Sequence, residues 1–295
     1  MPTKPTVPMR AARVTTGHQV RWQPYPAIAI LSLLVLLLLA ACGSSSGGTS
    51  GASGTSAPTV TLNVFAAASL KNAFQDIANQ YHKAHPNVSF KFNFAGSQVL
   101  EQQLANGAPA DVFASADLDN MNKANQAGLV NNPQVFAKNR LVIIVPASNP
   151  AGVNGLSDLA KKGLKFDIAA STVPAGKYCR QAFDKMAKSS TYGPAFEKAL
   201  LSNVISQEDN VTAVLQKVEL GEADAGCVYQ TDAASAQGKV KVIPIPDEFN
   251  VIAQYPIAVV KSSAHATEAQ GFVDYVLGPQ GQATLEKYQF IPKNG

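Results

Sequence analysis

The chain has 295 residues, of which 46% are apolar and 15% are charged. These figures leave room for a folded protein of one or two domains and exclude a chain that is disordered throughout. The formal net charge of +4 arises within segment 1–41, which contains basic residues and no acidic residue. The rest of the chain is electrically balanced, so it lacks the basic excess of nucleic-acid-binding proteins, and we expect no nucleic-acid partner.

Segment 1–41 has the pattern of a bacterial signal peptide. Its basic residues precede the uncharged apolar run 27–41, which is shorter than the ~20 residues of a membrane-spanning helix. Cys42 follows the small residues Ala40 and Ala41, as in a bacterial lipobox. We therefore expect Cys42 to be lipidated and to anchor the protein on the extracytoplasmic face of the cell membrane, where two or three acyl chains bind stably. The alternative is an uncleaved anchor in which Cys42 has no role.

A tether and two lobes are predicted after the signal peptide. Residues 43–56 contain only Gly, Ser, Thr and Ala, so segment 42–57 is expected to be a flexible tether. Alternating and helical apolar patterns then predict strands and helices in turn, in the chain order strand 60–64, helix 70–81, strand 88–94, helix 99–104 and strand 111–114.

The second half of the chain continues the alternation. It predicts a strand and crossing at 141–145, strand 166–170, helix 178–186, helix 211–218, strands 225–229 and 240–243, a return crossing at 251–260, and helices around 272–276 and 285–288. The alternation predicts an α/β fold with largely parallel sheets. Two crossings predict two lobes, 58–140 plus 247–295 and 141–246, with a ligand cleft between them. We expect hinge motion near 140–145 and 245–255.

Five turns at predicted strand ends share small residues, hydroxyls and free backbone N–H groups, and they contain no Lys or Arg. They lie at 67–70, 95–98, 173–176, 208–212 and 227–230. Ligands of α/β proteins bind at the carboxyl ends of strands, and helix N-termini bind anions without cationic side chains. These turns therefore indicate an anion site, although each turn by itself is also explained by helix capping, as for Ser69 and Ser97.

The sequence resembles the substrate-binding proteins of bacterial ABC molybdate importers, which have a type II periplasmic-binding fold. The segments that carry the resemblance occur in family order and include Phe65-Ala66-Ala67-Ala68-Ser69-Leu70, 94–97, 109–117, 173–178, 208–211, 228–233, 255–260 and 278–280. The resemblance implies that the chain is not an enzyme and needs no cofactor. It implies that a monomer captures molybdate or tungstate and delivers the anion to an ABC permease.

The resemblance also implies the residues that hold the oxyanion. These are the hydroxyls of Ser69, Ser97 and Tyr229 and the backbone N–H groups of Ala175 and Val211. The turn at Ser97 reads Gly-Ser-Gln where several relatives have a longer run of serines. These donors suit molybdate, because it is a fully deprotonated dianion near neutral pH and needs only hydrogen-bond donors. Sulfate has the same requirement.

Other functions are predicted less well by the residues. A receptor for sulfate or another tetrahedral oxyanion stays open, and a surface adhesin is not excluded by the tether. A ferric-iron receptor would need clustered Tyr and carboxylate ligands, which a lone Tyr229 does not supply. A lipid-anchored hydrolase would need a nucleophile elbow, but the G-x-S-x-G match at 43–47 lies within the tether. His82 and His85 form an H-x-x-H pair, for which solvated helix-end residues are a simpler interpretation than metal ligands.

Two cysteines remain after Cys42 is assigned to lipid. Cys179 and Cys227 form an even pair in an oxidising compartment, which favours a disulfide. Two buried thiols that pack as small apolar groups are the alternative. The residues alone leave both open.

Overall fold

The computed structural model describes residues 58–294. The predicted signal peptide 1–41, the predicted lipidation site Cys42 and the whole predicted tether 42–57 therefore lie outside the described residues, as does the match at 43–47. Within the described part of the chain, no helix combines the length and apolar character that crossing a membrane requires.

The first part of the described chain alternates strands and helices. Its elements are β1 (Val60–Ala67), a 3-10 turn (Ala68–Leu70), α1 (Lys71–Ala84), β2 (Val88–Ala95), α2 (Ser97–Ala105), β3 (Val112–Ala114), α3 (Leu118–Gln126) and β4 (Val130–Asn139). The apolar period of α1 explains its packing, because Phe74 and Tyr81 lie on one face and their rings meet Phe272 at centroid distances of 6.2 and 5.7 Å.

The middle of the chain forms a second α/β unit. Its elements are β5 (Leu141–Pro146), a 3-10 helix (Leu156–Ala160), β6 (Phe166–Ala169), α4 (Pro174–Ala187), α5 (Gly193–Ser202), β7 (Val204–Glu208), α6 (Val211–Glu219), β8 (Ala225–Tyr229), α7 (Gln230–Ser235) and β9 (Val240–Pro244). The chain then continues with β10 (Ala253–Val260), α8 (Ala266–Leu277), α9 (Pro279–Lys287) and β11 (Ile291–Pro292).

The strands form two sheets. The six-stranded sheet has the order β11-β4-β10-β3-β1-β2, and the five-stranded sheet has the order β7-β6-β8-β5-β9. The six-stranded sheet therefore takes strands from both sides of the middle unit.

The expectation of largely parallel sheets was wrong, because β4, β5, β9, β10 and β11 all pair antiparallel. The antiparallel strands β4, β5 and β10 lie where the chain passes from one sheet to the other. The parallel pairs are those joined through helices, β1 with β2 and β3, and β6 with β7 and β8.

Strand β4 has no counterpart among the predicted elements. Its sequence contains Asn131, Asn132 and Pro133, residues that are typical of turns, and Asn132 has a positive φ of 45°. β11 pairs only with Lys138 and Ala137, so the Pro133 end of β4 is a sheet edge, where a missing N–H donor is tolerated. The pairing of β4 with β10 is also irregular, with a register shift next to Pro256.

The two crossings between the sheets lie side by side. A single residue, Arg140, separates β4 from β5, and its guanidinium forms an ion pair with Asp247 in the connection between β9 and β10. Buried Asn250 strengthens this contact, because its side chain accepts from the N–H of Leu141 at 3.0 Å and donates to the Leu141 carbonyl at 2.9 Å. The two connections are thus joined by side-chain bonds at the point where the chain passes between sheets.

Candidate functional site

A small cavity lies between the two sheets, and all five residues predicted to bind an anion line it. The residues that line it are Ala67, Ala68, Ser69, Ala95, Gly96, Ser97, Ala116, Val173, Pro174, Ala175, Asn210, Val211 and Tyr229. A larger groove between α1 and β2 lies on the surface of one lobe and includes none of these residues. The cavity is therefore where the strand-end turns of both lobes meet.

Ser97 supplies a buried hydroxyl from the six-stranded side. It is the first residue of α2, follows Gly96 and is 1% exposed. Its Oγ accepts a hydrogen bond of 2.9 Å from the backbone N–H of Ala116. Because the oxygen accepts from the protein, the hydroxyl proton is available for a ligand in the cavity.

Ser69 supplies the second hydroxyl from the same side, in the turn that follows β1. Its Oγ lies 3.0 Å from the hydroxyl of Tyr255, which also accepts from Nδ2 of Asn139 at 3.3 Å. Burial raises the pKa of Tyr255, so this hydroxyl stays protonated. Tyr255 can then donate to Ser69, and the Ser69 proton is left for a ligand. The sequence did not predict this supporting role of Tyr255 and Asn139.

The five-stranded side presents two helix N-termini to the cavity. Ala175 is the second residue of α4, after Pro174, and Val211 is the first residue of α6. The N–H groups of a first helical turn have no partner within the helix and carry partial positive charge. Asn210 caps α6 by accepting from the N–H of Ala213 at 3.1 Å, which leaves the N–H of Val211 for a ligand. Pro174 lacks an N–H, so the donors of α4 begin at Ala175.

Tyr229 ends β8 and is the clearest sign of a ligand. The side chain is 1% exposed, lines the cavity, and its hydroxyl has no hydrogen-bond partner within the described residues. A buried hydroxyl without a partner costs free energy, and such groups mark sites that a ligand completes. Burial, and less strongly the neighbouring Tyr255, raises the pKa of Tyr229 well above its usual value, so it is a donor at neutral pH.

The lining contains neither a charged side chain nor a histidine. Hydroxyls and backbone N–H groups donate hydrogen bonds, and the side chain of Asn210 is already used in capping. Such an arrangement of hydrogen-bond donors, with no carboxylate or imidazole among the lining residues, can bind a fully deprotonated oxyanion.

The two lobes touch at the rim of this cavity. Nε2 of Gln98 donates to the backbone carbonyl of Asp209 in the other lobe at 3.0 Å. A Cβ atom at Gly96 would lie 2.5 Å from the same carbonyl oxygen, so only glycine allows this approach. The sequence did not predict the contact, because its partners are more than a hundred residues apart.

Cys179 and Cys227 form a disulfide with a Cα–Cα distance of 6.3 Å, and both residues are fully buried. The bond joins α4 to β8. Cys179 lies one helical turn after Ala175, and Cys227 lies two residues before Tyr229. The disulfide therefore links the two elements that bring these donors to the cavity.

The H-x-x-H pair has structural contacts in the fold. Nδ1 of His82 lies 2.6 Å from the carbonyl oxygen of Val88, and the ring of His85 stacks on Tyr81 at a centroid distance of 4.1 Å. Within residues 58–294, no group of His, Cys, Asp and Glu side chains is arranged to hold a metal ion.

Two α/β lobes that meet at a donor-lined cavity define a solute-binding protein of the two-lobed type II periplasmic-binding fold. The chain belongs to the family of bacterial extracellular solute-binding proteins, whose pattern matches residues 62–291. It is therefore a transport binding protein that acts outside the cytoplasm, and it is not an enzyme.

Known proteins similar to the chain include receptors for two oxyanions. The molybdate-binding protein ModA of Mycobacterium tuberculosis is 38% identical over 243 residues, which are 81% of this chain and 88% of the relative. The structure of the periplasmic molybdate-binding protein of Azotobacter vinelandii has a TM-score of 0.69 at 21% identity, covering 78% of this chain and 98% of that one. The sulfate-binding protein SubI of M. tuberculosis has a TM-score of 0.71 at 17% identity, covering 79% and 87%. These two structures share the fold, and that likeness does not choose between the anions.

Proposed function

We propose that this protein captures molybdate, and tungstate as its close chemical analogue, outside the cytoplasm and delivers the anion to the permease of an ABC importer. The observation that carries the proposal is the cavity between the two sheets where hydroxyls of Ser69, Ser97 and Tyr229 meet the helix N-termini at Ala175 and Val211. The 38% identity to a molybdate-binding protein supports the choice of anion.

The chemistry of the lining supports a deprotonated oxyanion over a protonated one. Molybdate and tungstate are tetrahedral dianions near neutral pH, so each of their oxygens accepts hydrogen bonds. Phosphate carries one or two protons near neutral pH and would need an acceptor such as a carboxylate, which the lining lacks. Sulfate has the same charge as molybdate and a smaller radius, so it remains the second candidate and would form longer, weaker bonds in a cavity sized for molybdate.

We further propose that the protein is a lipid-anchored monomer, with Cys42 as the acylated residue and 42–57 as the tether. The proposed lobes are 58–140 with 247–295, and 141–246, and the division of the strands between two sheets supports them. We propose that the lobes move about the crossings near 140–145 and 245–255. The bonds of Arg140 and Asn250 across these crossings support a hinge there.

Thermal unfolding with added anions tests the function. A ligand that binds only the folded state stabilises it by about 2.7 kcal/mol when its concentration is 100 times Kd. We expect sodium molybdate and sodium tungstate to raise Tm strongly, and sodium sulfate and sodium phosphate at equal concentration and ionic strength to raise it little. A larger shift with sulfate than with molybdate would assign the protein to sulfate. No shift with molybdate at millimolar excess would overturn the proposal.

A further inference from the structure

A lysine of one lobe reaches two carboxylates of the other lobe beside the cavity. Lys177 lies in α4, and its Nζ is 2.9 Å from Oδ2 of Asp117 and 2.7 Å from Oδ2 of Asp119. The side chain of Asp117 is 3% exposed, that of Lys177 is 26% exposed and that of Asp119 is 67% exposed. This three-residue contact between lobes is called the clasp below.

The clasp is attached to both walls of the cavity without lining it. Lys177 lies two residues after Ala175 on the helix that offers N–H donors. Asp117 follows Ala116, whose N–H holds the Oγ of Ser97. None of the three clasp residues lines the cavity. The clasp therefore acts through the relative position of the lobes and does not touch the anion.

Asp117 is a fixed acceptor before Lys177 arrives. It caps α3 by accepting from the backbone N–H of Asn120 at 3.1 Å, and its Oδ1 also accepts from Nδ2 of Asn120 at 2.8 Å. These bonds lie within one lobe and use Oδ1, so Oδ2 is available to Lys177. A preorganised, nearly buried carboxylate loses little side-chain entropy when the pair forms, unlike the partners of most surface ion pairs.

The charge state also suits an ion pair. Burial acts to lower the pKa of Lys177, but the hydrogen bonds to Asp119 and Asp117 outweigh it and the net pKa is raised. Lys177 is thus charged at neutral pH. It also offsets two negative charges at the rim of a cavity that is to receive an anion, which would otherwise be repelled.

We propose that the clasp of Lys177 with Asp117 and Asp119 forms on lobe closure and sets the rate at which the bound oxyanion is released. This inference rests on the proposed function. A contact made only between closed lobes stabilises the closed state. Because the lobes must open before the ligand leaves, this stabilisation slows release of the ligand. Lys177 is a positioning residue, since it changes the lifetime of the closed state and not the donors around the anion.

Release of radiolabelled molybdate from the full-length protein into excess unlabelled molybdate tests the clasp. The variants are Lys177→Met, which removes both ion pairs, and Asp119→Asn, which removes charge from an exposed side chain. The matched control is Lys188→Met, directly after the C-terminus of the same helix, whose partner Asp184 lies 2.6 Å away within the same lobe. We expect release to be about tenfold faster for Lys177→Met and about threefold faster for Asp119→Asn, given the energies of partly buried and exposed pairs, and unchanged within about twofold for Lys188→Met.

Salt gives a readout that general loss of packing would not change. Sodium chloride should speed release from the wild type, because it screens the ion pairs, and should have a much smaller effect on Lys177→Met. Equal release rates and equal salt dependence in the wild type and Lys177→Met would overturn the clasp. Absence of molybdate binding in the wild type would instead overturn the proposed function. The Tm of each variant without ligand is measured to show that the variant is folded. If Lys177→Met does not fold, Asp119→Asn provides the test.

Discussion

The hydroxyl of Tyr255 lies 3.0 Å from Oγ of Ser69, and the two residues are 186 positions apart in the chain. Tyr255 belongs to β10, which returns from the middle unit, and Ser69 follows the first strand of the fold. The return strand therefore orients a hydroxyl that the first turn presents to the cavity. Tyr255 orients the Ser69 hydroxyl from within the core, where its own side chain is 0% exposed.

Tyr255→Phe should weaken molybdate binding although Tyr255 does not line the cavity. Loss of its hydroxyl frees Ser69 to rotate, and we expect affinity to fall about tenfold, the effect of one hydrogen bond of about 1.4 kcal/mol. Asn139 keeps its 2.8 Å bond to Thr231, so the fold should persist. Isothermal titration calorimetry measures the affinity. Tyr288→Phe is the matched control, since its hydroxyl donates to Asp76 at 3.3 Å, away from the cavity, and the variant should bind molybdate normally.

Tyr229→Phe should change stability and affinity in opposite directions. The buried Tyr229 hydroxyl has no hydrogen-bond partner among residues 58–294, so its removal should leave the ligand-free protein equally stable or up to about 1 kcal/mol more stable. Removal of a donor to the anion should lower molybdate affinity about tenfold or more. Urea unfolding and calorimetry give the two quantities. A destabilised protein with unchanged affinity would mean that Tyr229 only packs.

The strand-end turns could be predicted from sequence, and the network behind them could not. Small and hydroxyl residues before an amphipathic helix are a local pattern, so Ser69 and Ser97 are recognisable from their neighbours, whereas the role expected of Val211 came from the family resemblance. Tyr255 looks like one more large residue in an apolar run, and its partner is known only once β10 lies beside β4 and β3. Pro133 argues against a strand at β4 when only the sequence is read. A proline is tolerated there because that end of β4 is a sheet edge, which no local pattern shows.

Gly96→Ala should block closure while preserving each lobe. The backbone of Gly96 has φ −62° and ψ 140°, which alanine adopts readily, but its Cβ would lie 2.5 Å from the carbonyl oxygen of Asp209. We expect an unchanged Tm without ligand. Molybdate affinity should fall at least about tenfold, which corresponds to a loss of roughly 1.4 kcal/mol of binding free energy. Gly155→Ala is the control, because a Cβ there meets nothing within 4 Å. Equal affinity in both variants would show that the lobes need not approach so closely.

The disulfide should contribute mainly to stability. Cys179 and Cys227 close a loop with a sequence separation of 48, for which loss of the bond is expected to cost about 2–4 kcal/mol. The variant Cys179→Ala/Cys227→Ala should therefore unfold at lower urea concentration, and reductant should have no further effect on it. Intact mass of the wild type without reductant should be two hydrogens below the thiol form. A mass equal to that of the thiol form would assign the pair as buried free cysteines.

Asp167→Asn should change how stability depends on pH. Asp167 lies on β6, is fully buried, and its carboxylate oxygens have no hydrogen-bond partner within the described residues. Burial, with Glu208 adding to it, raises the pKa of Asp167 to about 7, while Lys217 opposes the rise. The unfolded chain loses this proton near pH 4 and the folded protein near pH 7, so rising pH destabilises the fold across that interval.

The wild type should therefore lose more stability than Asp167→Asn between pH 4 and pH 7, and the variant should be the more stable of the two at pH 8. Urea unfolding at several pH values measures the difference, and subtraction of the variant cancels other buried acids such as Asp232, whose pKa is also raised by burial to about 7. Asp184→Asn, which changes an exposed carboxylate, should follow the wild type. Parallel profiles for the wild type and Asp167→Asn would mean that Asp167 is ionised and solvated or paired in the folded protein.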